Sequence, residues 1–268
     1  MKALTVERIG LCGPGLLSWT AGRETLAGGR PYAPDPLPAI AAALLPANER
    51  RRVTATIKLA LHAAQEAVGP ASAAASDEGP AAALPTVFVS SGGDSEVLDK
   101  ICAALTLPDR AVSPVHFHQS VHNTPSGYWS IATSCRRAST SLSAYDGSFG
   151  YGLLEAAALA WAEATPVLLV AYDLPLPFPL SDRRRIVAPF AVALLLSPHP
   201  AGGLATLRLA PAADAPASRL TDPELERLRV GNPAARALPL LSAIARQTAE
   251  SILLVERGRG IRVEVEPA

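Results

Sequence analysis

Compact apolar runs alternate with amphipathic stretches along the chain, and the change of period marks its elements. Val6 to Leu11 is a short apolar strand closed by the breaker CGPG at 12–15. From Asn48 onward, Val53, Ile57, Ala60 or Leu61, Ala64 and Val68 fall on one face at helical spacing, which predicts a helix ending at Val68. The run TVFVSSGG (86–93) is a strand stopped by two glycines, and Asp94 or Ser95 caps the helix DSEVLDKICAAL that follows.

A second such unit comes next. Ser139 to Tyr145 alternates weakly, Ser148 to Glu163 is an Ala- and Leu-rich helix, and Pro166 to Tyr172 is a strand of apolar residues throughout. A continuous apolar strand directly after a helix fits a central parallel strand covered on both faces. The Pro-punctuated stretch 173–182 is loop, and 187–197 with 203–211 predicts an antiparallel pair across the turn PHPAGG. Helices are expected over 222–228 and 233–252, and IRVEVEPA (261–268) closes as an alternating edge strand. Gly28 to Pro38 is a surface connection, and the Ala/Ser/Gly/Pro stretch from 69 to 85 is expected to be a mobile loop. Repeated strand, glycine turn and helix define an α/β fold, with a mixed, mostly parallel sheet and helices on both faces. One domain spanning 1–268 is expected, with a helical and strand tail over 220–268.

Composition narrows the partners. The 24 Lys and Arg balance the 24 Asp and Glu, so no global field favours nucleic acid or an anionic membrane. Cys12, Cys102 and Cys135 are odd in number and widely spaced, which argues against a disulfide framework or a zinc knuckle and for a reducing, cytoplasmic setting. Glu7 and Arg8 interrupt what would be a signal's apolar stretch, and the longest apolar run, Pro189 to Leu196, is too short to span a bilayer. His116, His118 and His122 would gather two rings on one face if their segment were a strand, but no cysteine or carboxylate lies near in sequence to complete a metal set. No metal and no cofactor are expected. SSGGD precedes a helix yet lacks the spacing of a phosphate loop, so it reads as a plain turn.

Several pieces in order resemble the N-terminal half of the β-ketoacyl synthase family, of thiolase-like fold: VERIGLCGPGL (6–16), RRRVTATIKLALHAAQEAV (50–68), TVFVSSGGDSEVLDKI (86–101) and VSPVHFHQSVHNTPSGYWSIA (112–132). The last is similar to the extended segment and Asn-x-x-x-Gly helix that line the family's acyl pocket, with Asn123 and Gly127 as the two named positions. The resemblance implies that Val115, His116, Phe117, His118, His122, Asn123, Gly127, Tyr128 and Trp129 form tunnel or interface wall. It also implies a nucleophilic cysteine on a strained strand-to-helix turn. Counting forward from Asn123 places that position on Asp146; counting back from the strand PVLLVAY places it on Gly147. Neither is cysteine, so no catalytic residue is expected, and Asp146 is expected to cap the helix. Cys135, in IATSCRR, mimics the family tripeptide but is followed by Arg136 and Arg137 where a small-residue helix start is needed.

The family's C-terminal pair of histidines has no counterpart either: after His122 only His199 remains, in the turn PHPAGG, and the family's C-terminal half is expected to be absent or reduced to the tail after Leu204. The resemblance narrows, through AYDGSFGYGLLEA (144–156) and NPAARALPLL (232–241), to the chain-length-factor branch, of the aryl polyene type. Such a chain pairs with a catalytic ketosynthase and shapes the acyl or polyene tunnel, with acyl carrier protein as a further partner that Arg50–Arg52 and Arg183–Arg185 would suit. The alternatives are an independent acyltransferase using Cys135 with one of the three histidines as base, and a carrier-protein scaffold.

Overall fold

The computed structural model describes residues 2–69, 79–199, 202–213, 215–256 and 258–268. A single eight-stranded sheet runs through it, built from β1 (Ala3–Cys12), β2 (Thr86–Val89), β3 (Ser139–Leu142), β4 (Val167–Asp173), β5 (Phe190–Ser197), β6 (Ala205–Ala213), β7 (Glu250–Glu256) and β8 (Arg259–Pro267). Their order across the sheet is β3-β2-β4-β5-β1-β6-β8-β7.

The sheet is mixed, but its balance is antiparallel. Only β2 pairs in parallel, with β3 on one side and β4 on the other, while β4–β5, β5–β1, β1–β6, β6–β8 and β8–β7 are all antiparallel. The expected hairpin of β5 with β6 does not form, because β1 lies between them and pairs with both. Apolar runs carry no address, and β1 offers a long strand with both edges free to pair. β8 is likewise not an edge strand. Residues 250–256, expected to begin as helix, form β7 outside it. The preceding helix stops at Arg246, where Gln247 takes a left-handed φ of 53° and ends it.

Helices cover both faces, as the alternation along β4 requires. Val167, Leu169 and Ala171 join the core under the helix Ser148–Glu163, while Leu168, Val170 and Tyr172 join the core under the helices Ala55–Val68 and Thr124–Thr133. The helix expected from Asn48 is two pieces, a single turn at Ala47–Arg50 and then Ala55–Val68. Thr54 separates them by accepting a hydrogen bond from the Ile57 amide at 3.3 Å, a side-chain cap that restarts the helix. The helix packs so closely on β1 that a Cβ at Gly10 would stand 1.9 Å from the Ala63 carbonyl oxygen. Its half-buried Glu66 accepts from the amides of Leu11 at 2.8 Å and Trp19 at 2.7 Å, tying down the turn after β1. Of the stretch expected to be mobile, residues 70–78 lie outside the described residues, and Pro80–Ala83 forms a helical turn leading into β2.

Candidate functional site

Because β3, β2 and β4 are parallel, their C-terminal ends meet along one edge, where α/β sheets place their sites. Ser90 and Ser91 follow β2, Ser143 follows β3, and Asp173 ends β4. Asp173 is 3% exposed. Its Oδ1 accepts three hydrogen bonds, from Ser90 Oγ at 3.1 Å, the Ser91 amide at 2.9 Å and Ser91 Oγ at 2.6 Å, while Oδ2 has no partner. Burial pushes its carboxyl up to about 6, against the opposing pull of those donors and of Arg184. Sequence reasoning passed over this residue as the start of a proline-rich loop. The only signal was a carboxylate closing a fully apolar strand.

One layer out lies the turn on which the family's nucleophile was sought. The chain leaves β3, passes through a turn of 3₁₀ helix at Tyr145–Gly147 and enters the helix Ser148–Glu163. Tyr145 sits at φ 53°, in the left-handed region that costs a side chain with a Cβ about 1–2 kcal/mol. Ser148 Oγ braces it, accepting from the Ala144 amide at 3.0 Å and donating to the Tyr145 carbonyl at 2.7 Å. The strand-to-helix turn is strained as the resemblance implied, with the strain at Tyr145.

Asp146 does not cap the helix. The N-cap residue is Gly147, and no side chain caps it. Instead Asp146 Oδ1 accepts from Arg184 Nη2 at 2.6 Å and Oδ2 lies 4.0 Å from Arg236. The two guanidiniums win because a 3₁₀ turn, not an extended residue, precedes the helix, so the carboxylate is not aimed at the first helical amides. The Arg184 guanidinium also stacks 4.0 Å above the Tyr145 ring. Burial, with Arg229 nearby, lowers the pKa of Arg236, while Asp146 and Glu256 oppose that shift. Between the start of this helix and the β7–β8 hairpin there remains a crevice of about 30 Å³, lined by Asp146, Gly147, Tyr151, Arg236, Leu254 and Glu256 among others. Charged side chains from the tail therefore close over the helix start.

The segment expected to be extended is helical at Pro114–Gln119, with proline at the first turn where its missing N–H costs nothing. Two residues apart on a helix, His116 and His118 point about 200° apart, so they do not gather on one face. His118 meets Tyr128 edge-on at 6.3 Å, and His122 Nε2 lies 3.3 Å from the Ser90 carbonyl. Among the described residues no group of three or more His, Cys, Asp or Glu is placed to hold a metal ion. Tyr128 and Trp129 are buried in the core, whereas Val115, Phe117 and Val121 stand exposed, Phe117 at 69%. Asn123 starts the helix Thr124–Thr133 through its carbonyl, accepting from Gly127 at 3.0 Å. A Cβ at Gly127 would meet nothing within 4 Å.

Cys135 lies just past the other end of that helix. That helix, ten residues and about 15 Å long, separates Cys135 from His122. The thiol is buried and lies 3.2 Å from the Leu84 carbonyl, to which it donates. Cys12 is also buried, its thiol pushed up to about 12, and Cys102 is exposed on the helix Ser95–Leu105.

The chain thus pairs a layered α/β sheet with a strained strand-to-helix turn at the end of its parallel strands. The chain belongs to the β-ketoacyl synthase family: residues 24–251 match the family's N-terminal domain. No curated protein sequence matches it. Among solved structures it is similar to the ketosynthase ApeO in complex with its chain length factor ApeC from Xenorhabdus doucetiae, at 23% identity and a TM-score of 0.72 over 99% of both chains. It is also similar to the ishigamide ketosynthase/chain length factor, at 11% identity and a TM-score of 0.75 over 99% of both. A ketosynthase from the bacillaene synthase of Bacillus amyloliquefaciens matches 81% of this chain with 47% of its own, at 16% identity and a TM-score of 0.56. No helix among the described residues is long and apolar enough to cross a membrane.

Proposed function

We propose that this chain is a non-catalytic, chain-length-factor-type subunit that pairs with a catalytic β-ketoacyl synthase and forms one wall of the tunnel for the growing acyl or polyene chain. The observation that carries the reading is the turn at Tyr145–Gly147. None of its residues is a thiol, and Asp146 is held there by Arg184 and Arg236. A carboxylate paired with guanidinium is a poor acyl carrier, because acyl transfer to it would give only a labile anhydride. Cys135 does not replace it, being buried, bonded to a carbonyl and at the far end of the helix Thr124–Thr133 from His122.

Pairing is supported by what stands uncovered. β3 is a terminal strand of the sheet, hydrogen-bonded on one side only. In the segment between β2 and β3, Leu105, Leu107, Val115, Phe117 and Val121 are each between 44% and 69% exposed. Gathered into one patch, such apolar exposure would mark an interaction surface. The similar structures carry the pairing in their descriptions, a ketosynthase with its chain length factor, and another describes an acyl-carrier protein in complex with its ketosynthase. Tunnel length would then be set by shape, since each methylene buried is worth about 0.8 kcal/mol and a side chain blocking a few carbons decides where growth stops.

The test is co-expression with ketosynthases encoded nearby, followed by size-exclusion chromatography and product analysis. A stable complex whose product length shifts with Phe117→Ala supports the reading. A purified chain that takes up labelled acyl thioester, and loses uptake on Cys135→Ala, overturns it in favour of an independent acyltransferase. Product lengths indifferent to Phe117→Ala would leave a carrier-protein scaffold.

A further inference from the structure

We propose that Asp173 is a positioning residue that sets both flanks of the candidate site from a single buried oxygen. This rests on the tunnel-wall reading for its functional consequence. The geometry starts behind the residue. Asn232, fully buried, donates from Nδ2 to the Asp173 carbonyl at 3.1 Å and to the Ala188 carbonyl at 2.8 Å, while its Oδ1 accepts from the amides of Ala234 and Ala235. The end of β4 is thereby fixed to the tail.

From that anchored point the side chain reaches forward. Asp173 Oδ1 gathers Ser90 Oγ, the Ser91 amide and Ser91 Oγ. Ser90 Oγ in turn accepts from the Gly93 amide at 2.9 Å, closing the SSGG turn, where Gly93 takes φ +62°. Both serine carbonyls are then aimed outward. That of Ser90 faces His122 Nε2 at 3.3 Å, directly before Asn123 and the helix Thr124–Thr133. That of Ser91 accepts from Ser143 Oγ at 3.1 Å, two residues before the strained Tyr145. Two segments far apart in sequence, 120–124 and 143–147, are thus referenced to one atom.

A carboxylate that is 97% buried, with one oxygen carrying three donors and the other none, is a costly choice for simple packing. The network needs an acceptor at Oδ1, not a charge. Asparagine supplies that acceptor and alanine does not, so the two substitutions separate positioning from bulk.

The experiment is hydrogen–deuterium exchange on the full chain, alone or in the complex in which it purifies, with Asp173→Ala, Asp173→Asn and the double variant Ser90→Ala/Ser91→Ala. Expected is a rise of about tenfold in exchange at 90–93, 120–124 and 143–146 for Asp173→Ala, with helix 238–246 unmoved and Asp173→Asn close to wild type. If Asp173→Ala does not fold, the double serine variant carries the same expectation in the same segments. In a complex with a ketosynthase, product lengths should broaden for Asp173→Ala and return to wild type for Asp173→Asn. Exchange unchanged in those segments, Asp173→Asn as disruptive as Asp173→Ala, or product lengths unmoved while the segments loosen would each overturn the proposal. Failure of the wild-type chain to bind any ketosynthase would sink the tunnel-wall reading and leave the exchange result to decide Asp173 by itself.

Discussion

Asp146 and Arg184 meet at 2.6 Å beside the turn that launches the helix Ser148–Glu163, and the same guanidinium lies over the Tyr145 ring. One cation thus holds two consecutive residues of a strained turn. Replacing it with alanine removes a partly exposed ion pair, worth little after solvent screening, and a stacked cation worth somewhat more. Arg184→Ala is expected to lower stability by about 1–2 kcal/mol in chemical denaturation. A loss below a few tenths would show that the turn is held by Ser148 alone.

Supplying the missing thiol should not supply the activity. Asp146→Cys, Gly147→Cys and Tyr145→Cys each put a cysteine on the turn, but Arg236 and Glu256 still close over the helix start and no histidine follows except His199. Incubation with labelled acyl thioester should leave all three unacylated. Stoichiometric labelling of any one would mean the site is open and one substitution from function.

The three native cysteines should separate by burial. Cys102 is exposed, whereas Cys12 and Cys135 are buried, and the Cys12 thiol is pushed up to about 12 by desolvation and by Glu66. Alkylation of the native chain at pH 8, read by mass spectrometry, is expected to modify Cys102 fast and the other two only after denaturation. Rapid modification of Cys135 would reopen its candidacy as a nucleophile.

The buried carboxyl of Asp173 makes a signed prediction in pH. Its folded value of about 6 lies above the ordinary 3.8, so between those values the native state holds a proton that the unfolded chain has lost. The stability from the protonated form is therefore present below about 4 and is lost as pH rises through 6, a contribution of about 3 kcal/mol at most. Glu66 is shifted in the same direction and adds to the slope. Asp173→Asn should flatten this part of the profile and melt higher than wild type at pH 7.5. An unchanged slope would mean that Asp173 is not the titrating group.

Much of the fold was legible because burial writes itself into period. Val53, Ile57, Ala60, Leu61, Ala64 and Val68, which the spacing put on one face, are all buried, and the helix Ser148–Glu163 has the expected bounds. Strand pairing was not legible. An apolar strand such as PVLLVAY states that both its faces are covered but not which neighbours it has, so the insertion of β1 between β5 and β6 left no local mark. The site shows the same division. The turn after β3 could be found by counting, whereas the partner of Asp146 lies 38 residues on in a loop, and its hydrogen-bonding choice depends on a 3₁₀ turn that no residue pattern announces. The segment around His116 misled for a related reason: Ser113 and Pro114 are as good a helix start as they are a break in a strand.

Pairing itself can be tested without knowing the product. Phe117 and Val121 are exposed at 69% and 51%, so charge introduced there costs the isolated fold almost nothing. Placed at the centre of an interface, the same charge would be desolvated without a partner and cost several kcal/mol, enough to lower affinity by more than a hundredfold. Phe117→Asp and Val121→Asp should therefore abolish co-purification with the ketosynthase while leaving the thermal melt within about a degree or two of wild type. The same substitution at Val230, exposed at 55% but at the end of a helix that belongs to the tail, serves as the control and should leave the complex intact. A complex that survives Phe117→Asp and fails with Val230→Asp would move the interface to the surface at the end of the helix Pro223–Gly231, beside Val187, and with it the wall that the partner's tunnel presses against.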